Sequence, residues 1–147
     1  MNREAEKRGE AAVGEVLARL ARGFATNDVR GLDALYAEDA DWTNAFGTTL
    51  HGRRAIIAYL EKLFADERFE AGRLVGEPQA SIRFTGDGRV ALAKTYVERE
   101  GQKTVEGREL PVRRNHSLKV LENRDGRWLI VSEMYMDARE EQTLVSR

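Results

Sequence analysis

Toward the end of the chain, Arg114-Asn115-His116-Ser117-Leu118-Lys119-Val120 runs to an Asp125-Gly126 turn and returns from Trp128 to Asp137 with Glu133, Tyr135 and Asp137 at alternate positions. Side chains at period two share one face of a strand, and ionisable groups on a buried apolar face would be left unpaired at high cost. The pattern therefore points to a concave sheet that encloses a polar pocket. Such a set is suited to acid/base chemistry. The ordinary imidazole pKa of about 6.5 makes His116 a candidate general acid or base, tuned by Glu133 and Asp137.

A two-residue Asp125-Gly126 turn pairs Arg124 with Arg127. Counting outward sets Val120 opposite Val131, Leu118 opposite Glu133, His116 opposite Tyr135, and Arg114 opposite Asp137. On this register all of them share one face, with the valines at the closed end and an Arg114–Asp137 ion pair at the mouth. A bulge that adds one residue would put Met134 and Met136 there instead. Plainer roles stay open for the same groups: a hydrogen-bonded core histidine for His116, a structural ion pair for Arg114 and Asp137, and a solvent-facing Glu133 if the register slips by one.

A second group lies near position 40, where Trp42, Asn44 and Phe46 alternate with Asp41, Thr43 and Ala45 before Gly47. Trp42 reads as a cavity wall or a stacking platform, and Asn44 as a holder of substrate or water or as a strand-end cap. The expected site is thus His116, Glu133 and Asp137 as catalytic groups, with Trp42, Asn44, Arg114 and Tyr135 binding substrate. His51, at the turn into a predicted helix, reads as surface. It lies far from His116 and neither stands in an H-x-x-x-H spacing, so no metal is expected.

These groups need elements to hold them. Val13, Val16, Leu17, Leu20 and Phe24 form the stripe of a first helix ending near Asn27, and Asp28 is placed to cap a short second helix through Val29, Leu32, Leu35 and Tyr36. Asp39 to Phe46 is a strand. Ile56, Ile57, Leu60, Leu63 and Phe64 form a third helix. Beyond Gly72 the pattern is two long hairpins: Leu74–Phe84 with Val90–Arg99 across Gly86-Asp87-Gly88, and Val112–Leu121 with Trp128–Asp137. The polar stretch Gly101–Pro111 between them is the expected mobile loop. Helices segregated ahead of antiparallel strands define an α+β domain, a cone-shaped α+β barrel with three N-terminal helices packed on a strongly curved, mainly antiparallel sheet and a ligand site at the open mouth. A single domain over 10–138 is expected, with 1–9 and 139–147 as terminal extensions.

The 147 residues suffice for one core, and 24 basic against 25 acidic residues give a net charge of −1, which offers no field for nucleic acid or an anionic membrane. The absence of cysteine removes disulfides and thiolate chemistry and fits a cytoplasmic protein. Met1–Glu10 is too charged for a signal peptide, and no apolar run approaches the roughly 18 residues of a membrane span.

This order, with Asn27-Asp28, the segment Asp39–Gly47 and Gly52-Arg53-Arg54-Ala55-Ile56, resembles the nuclear transport factor 2-like (cystatin-like) superfamily, and within it the SnoaL-like and SgcJ/EcaC group of small bacterial proteins. The resemblance implies a pocket for a small hydrophobic, polycyclic or polyketide-like metabolite and cofactor-free hydrolase, isomerase or cyclase chemistry. Ketosteroid isomerases of this fold carry a carboxylate base where Asn44 stands and a tyrosine where Leu20 stands, so steroid-type isomerisation is disfavoured. Limonene-type epoxide hydrolases are closer: an aromatic and an asparagine similar to Trp42 and Asn44, a last-strand carboxylate similar to Glu133 or Asp137, and an Arg-x-Asp motif similar to Arg114-Asn115-His116. Epoxide opening is then the most concrete expectation. A non-catalytic ligand-binding or dimerisation module of the same fold is the other. Under either, the partly apolar outer face of the sheet implies a homodimer through the sheet.

Overall fold

The computed structural model describes residues 1–70, 72–141 and 143. Helix α1 (Arg3–Thr26) begins where the Asn2 side chain accepts from the Ala5 N–H at 2.8 Å, and it ends at Asn27 in the left-handed conformation. Its buried stripe is Gly9, Val13, Val16, Leu20 and Gly23. Residues 3–9, expected as an extension, are the first turns of this helix. A Cβ on Gly9 would meet the Phe84 ring at 2.9 Å, so the glycine lets helix and sheet approach closely.

The second helix shrinks to a single 3-10 turn, Leu32–Leu35, and Tyr36 opens β1 (Tyr36–Thr43). Four residues suffice because Leu32 and Leu35 are buried and the chain must then extend to reach the sheet. A short β2 (Thr49–His51), absent from the sequence expectation, pairs antiparallel with β1 across the Gly47 turn. Then come α2 (Arg53–Ala65), which buries Ile56, Leu60 and Phe64, and a one-turn α3 (Glu67–Glu70).

The two hairpins form as expected: β3 (Arg73–Thr85) with β4 (Val90–Glu100), and β5 (Arg113–Arg124) with β6 (Arg127–Asp137). The sheet order is β2-β1-β6-β5-β4-β3, all antiparallel except β1 beside β6. Its ends are not hydrogen-bonded to each other, and α1 and α2 close the cone. Pro78 lies where β3 loses register with β4, between Val75 and Gln79, on an edge strand where a missing N–H is tolerated. The core runs along the concave face, with Leu121, Trp128 and Ile130 filling the closed end. At the other end the sheet and helices leave a cavity of about 360 Å³.

Candidate functional site

One extra residue in β6 decides which side chains enter this cavity. Leu121 pairs with Ile130, but Val120 pairs with Ser132, so Val131 is a bulge. The closed end needs Trp128 and Ile130 inward, whereas the open end turns Glu133, Tyr135 and Asp137 inward, and an even-numbered and an odd-numbered set share a face only if the parity changes between them. Strand β5 has no such break. Its odd residues Arg113, Asn115, Ser117 and Lys119 therefore face the cavity side, opposite Asp137, Tyr135 and Glu133.

This corrects the expected register. His116 pairs with Met136 on the convex face, where it is exposed and its ring stands 4.8 Å from that of Tyr96. Arg114 is exposed on the same face, beside Glu98, and makes no pair with Asp137. Met134 and Met136 are also outside, 56% and 58% exposed, so the bulge does not bring them in. Glu133, Asp137 and Tyr135 lie on the concave side, with Trp42.

At the floor, Glu133 is 1% exposed. Its Oε1 accepts from the Tyr36 hydroxyl at 2.6 Å, and its Oε2 lies 3.4 Å from the Lys119 ammonium. Lys119 also donates to Ser117 Oγ at 2.5 Å, Ser117 bonds Thr95, and the ammonium stands 4.8 Å from the centroid of the Tyr135 ring. Of this network Lys119, Thr95 and Tyr135 line the cavity, with Glu133 behind them. Burial pushes the Lys119 amine below its ordinary pKa although Glu133 pulls it up. Burial, reinforced by the Glu133 charge, holds the Tyr36 and Tyr135 phenols well above theirs.

The mouth carries a second polar set. Asp137 accepts from Arg113 Nε at 2.9 Å and from Asn115 Nδ2 at 3.0 Å, which fixes it as an anchor for Arg113. Arg113 also donates to Gln102 at 2.7 Å and lies 4.9 Å from the centroid of the Phe46 ring. The Gly101–Pro111 stretch is folded on itself, with a Lys103–Glu109 bridge, and Gln102 ties it to the mouth. Arg99 lines the wall nearby.

The remaining walls are apolar or aromatic. Trp42 packs with Tyr59 and Tyr135 at ring distances of 5.2 and 5.9 Å. Asn44 donates to the Tyr59 hydroxyl at 3.1 Å, while its Oδ1 accepts from the N–H groups of Phe46 and Thr48. It thus lines the cavity and shapes the turn, the capping role among its two expected ones. His51 is exposed at the end of β2. Among the described residues no cluster of three or more histidine and carboxylate groups is placed to hold a metal.

Sequence reasoning passed over Lys119, Arg99, Arg113, Ser117 and Tyr36. The available signal was Leu121, a bulky apolar residue that must enter the core and so draws every odd residue of β5 inward with it.

The chain belongs to the SnoaL-like domain family, whose model matches residues 17–131. Comparison with curated proteins gives no match. Among solved structures, an uncharacterised protein with a cystatin-like fold from Caulobacter vibrioides superposes with a TM-score of 0.79 at 19% identity, over 90% of this chain and 92% of that one. A proposed dehydratase of the NTF2-like family from Streptomyces avermitilis is similar at TM-score 0.72 and 14% identity, over 91% and 99%. A proposed scytalone dehydratase from Novosphingobium aromaticivorans gives 0.70 and 16%, over 92% and 88%. The fold is therefore the NTF2-like, cystatin-like one. No helix among the described residues is long and apolar enough to cross a membrane.

Proposed function

We propose that this SnoaL-like protein binds a small, ring-containing, largely apolar metabolite of polycyclic or polyketide-like type and acts on it by proton transfer, in reactions of the isomerase, cyclase or dehydratase kind. The observation that carries the reading is the Lys119 amine, buried at the floor of an apolar cavity with Glu133 behind it. Burial pulls the Lys119 pKa down, so the amine gives up its proton more readily than an exposed lysine; once freed it can take a proton from carbon next to a carbonyl, and the adjacent Glu133 carboxylate stabilises the ammonium that results. Epoxide opening is less well supported by the geometry, because Asn44 is engaged in its turn and His116 is outside.

A second reading, ligand binding without turnover, draws on the pairing of both carboxylates: Glu133 is held by Tyr36 and Lys119, and Asp137 by Arg113 and Asn115. Exchange of the α-protons of 2-tetralone in D2O, followed by NMR, separates the two. Exchange faster than in buffer, lost in Lys119→Met, supports proton transfer. Binding seen by saturation transfer with exchange at the buffer rate selects the second reading.

A further inference from the structure

The charges around the cavity do not balance. Three basic side chains line it: Arg99, Arg113 and Lys119. Lys119 faces Glu133 at 3.4 Å and Arg113 faces Asp137 at 2.9 Å, but among the described residues no carboxylate lies within ion-pair distance of Arg99. Its position makes this worse, since Arg99 stands directly opposite Arg113 on β4 and β5, and like charges at a cross-strand pair repel. The side chain is half-buried; burial and, less strongly, Arg113 disfavour its charge, while Tyr135 favours it. Guanidinium remains charged in proteins even so.

A second, independent feature points the same way. The Trp42 indole N–H is buried in the cavity wall and turned toward the Tyr135 hydroxyl, and Tyr135 in turn neighbours Arg99. A cation with no carboxylate partner among the described residues and the Trp42 and Tyr135 polar groups thus border the same aromatic surface. Arg99 is the group that a charged acceptor would complete.

We propose that the ligand is an organic anion, an apolar ring or chain bearing a carboxylate, whose oxygens meet Arg99 at the wall while its body lies against Trp42, Phe24 and Leu63. A carboxylate matches the planar fork of guanidinium with two parallel hydrogen bonds, which an ester cannot reproduce. The inference rests on the reading of this cavity as the ligand site, and extends it from shape to charge.

The test is isothermal titration calorimetry with three carboxylates, 2-naphthoate, 4-phenylbutyrate and decanoate, each against its methyl ester. The expected result is that at least one acid binds about tenfold or more tightly than its ester, the order of a charge-assisted pair in a partly dry site. Arg99→Met should remove that preference while leaving the ester affinity unchanged, and Arg99→Lys should retain part of it; the ester affinity shows that each variant is folded. Equal affinities for acid and ester, or a preference that survives in Arg99→Met, would overturn the anionic ligand and leave the apolar cavity standing. No binding by any acid or ester would overturn the cavity as a ligand site, and the inference with it.

Discussion

Lys119 and Glu133 stand directly opposite each other on β5 and β6, Nζ 3.4 Å from Oε2, only because Val131 is an extra residue ahead of them. The pair is 5% and 0% exposed, so each charge depends on the other. Removing one partner of a buried pair strands the other and typically costs about 3–5 kcal/mol, whereas replacing both with apolar groups is often near neutral. Lys119→Met and Glu133→Gln should each destabilise by that order in urea titrations, and Lys119→Met with Glu133→Leu by less than either. Additive losses would mean that the two groups are not coupled.

Two of the four tyrosines, the fully buried Tyr36 and the partly buried Tyr135 of the cavity wall, are held well above the usual phenol range, by burial first and by Glu133 second. With the folded pKa raised, the unfolded chain releases protons above about pH 10 that the native state retains, so stability falls as pH rises beyond that point. Lys119 acts oppositely: its folded pKa is lowered, so it adds stability as pH rises toward 10.5. Phenolate absorbance at 295 nm should show two tyrosines ionising only together with loss of the fold, and one in Tyr36→Phe. Smooth titration of all four in folded protein would contradict this burial.

The alternation of Glu133, Tyr135 and Asp137 was legible because a strand has period two whatever it pairs with, and the order of helices and hairpins was legible because helical stripes and glycine turns are local signals. Which residues of β5 meet that set was not, since pairing counted from Asp125-Gly126 carries its parity unbroken to the mouth. A bulge reverses that parity through long-range packing of Leu121 and Ile130 in the closed end. Trp42 was placed by its bulk, whereas Arg99 reads in sequence as one more charge in Glu98-Arg99-Glu100. It shares the inward face that the buried Ala91 and Ala93 set for β4, a choice made by core packing.

His116 stands outside the cavity, on a convex face that also exposes Leu118, Met134 and Met136, at 41%, 56% and 58%. His116→Gln should therefore leave ligand affinity and any turnover within about twofold of wild type, a surface-scale effect. The same face is where we propose that a second copy packs. Leu118 pairs with Met134 and His116 with Met136, so the apolar strip lies along two adjacent strands and suits an isologous contact. Light scattering should give twice the 16.6 kDa chain mass, and Leu118→Arg with Met134→Arg should halve it. A wild-type monomer would remove the dimer.

Asp137 tests the charge at the mouth from the other side. It neutralises Arg113 through the 2.9 Å contact with Nε, and both side chains are mostly buried, 25% and 15% exposed. Asp137→Asn keeps the shape and an acceptor but frees the guanidinium, so the native state loses a charge-assisted bond worth about 1.5–3 kcal/mol. The cavity then holds two uncompensated cations. Carboxylate ligands should bind a few-fold more tightly to Asp137→Asn than to wild type while methyl esters bind as before, even as the midpoint of unfolding falls. Weaker carboxylate binding, with esters unchanged, would instead show that Arg113 must be held by Asp137 to reach the ligand.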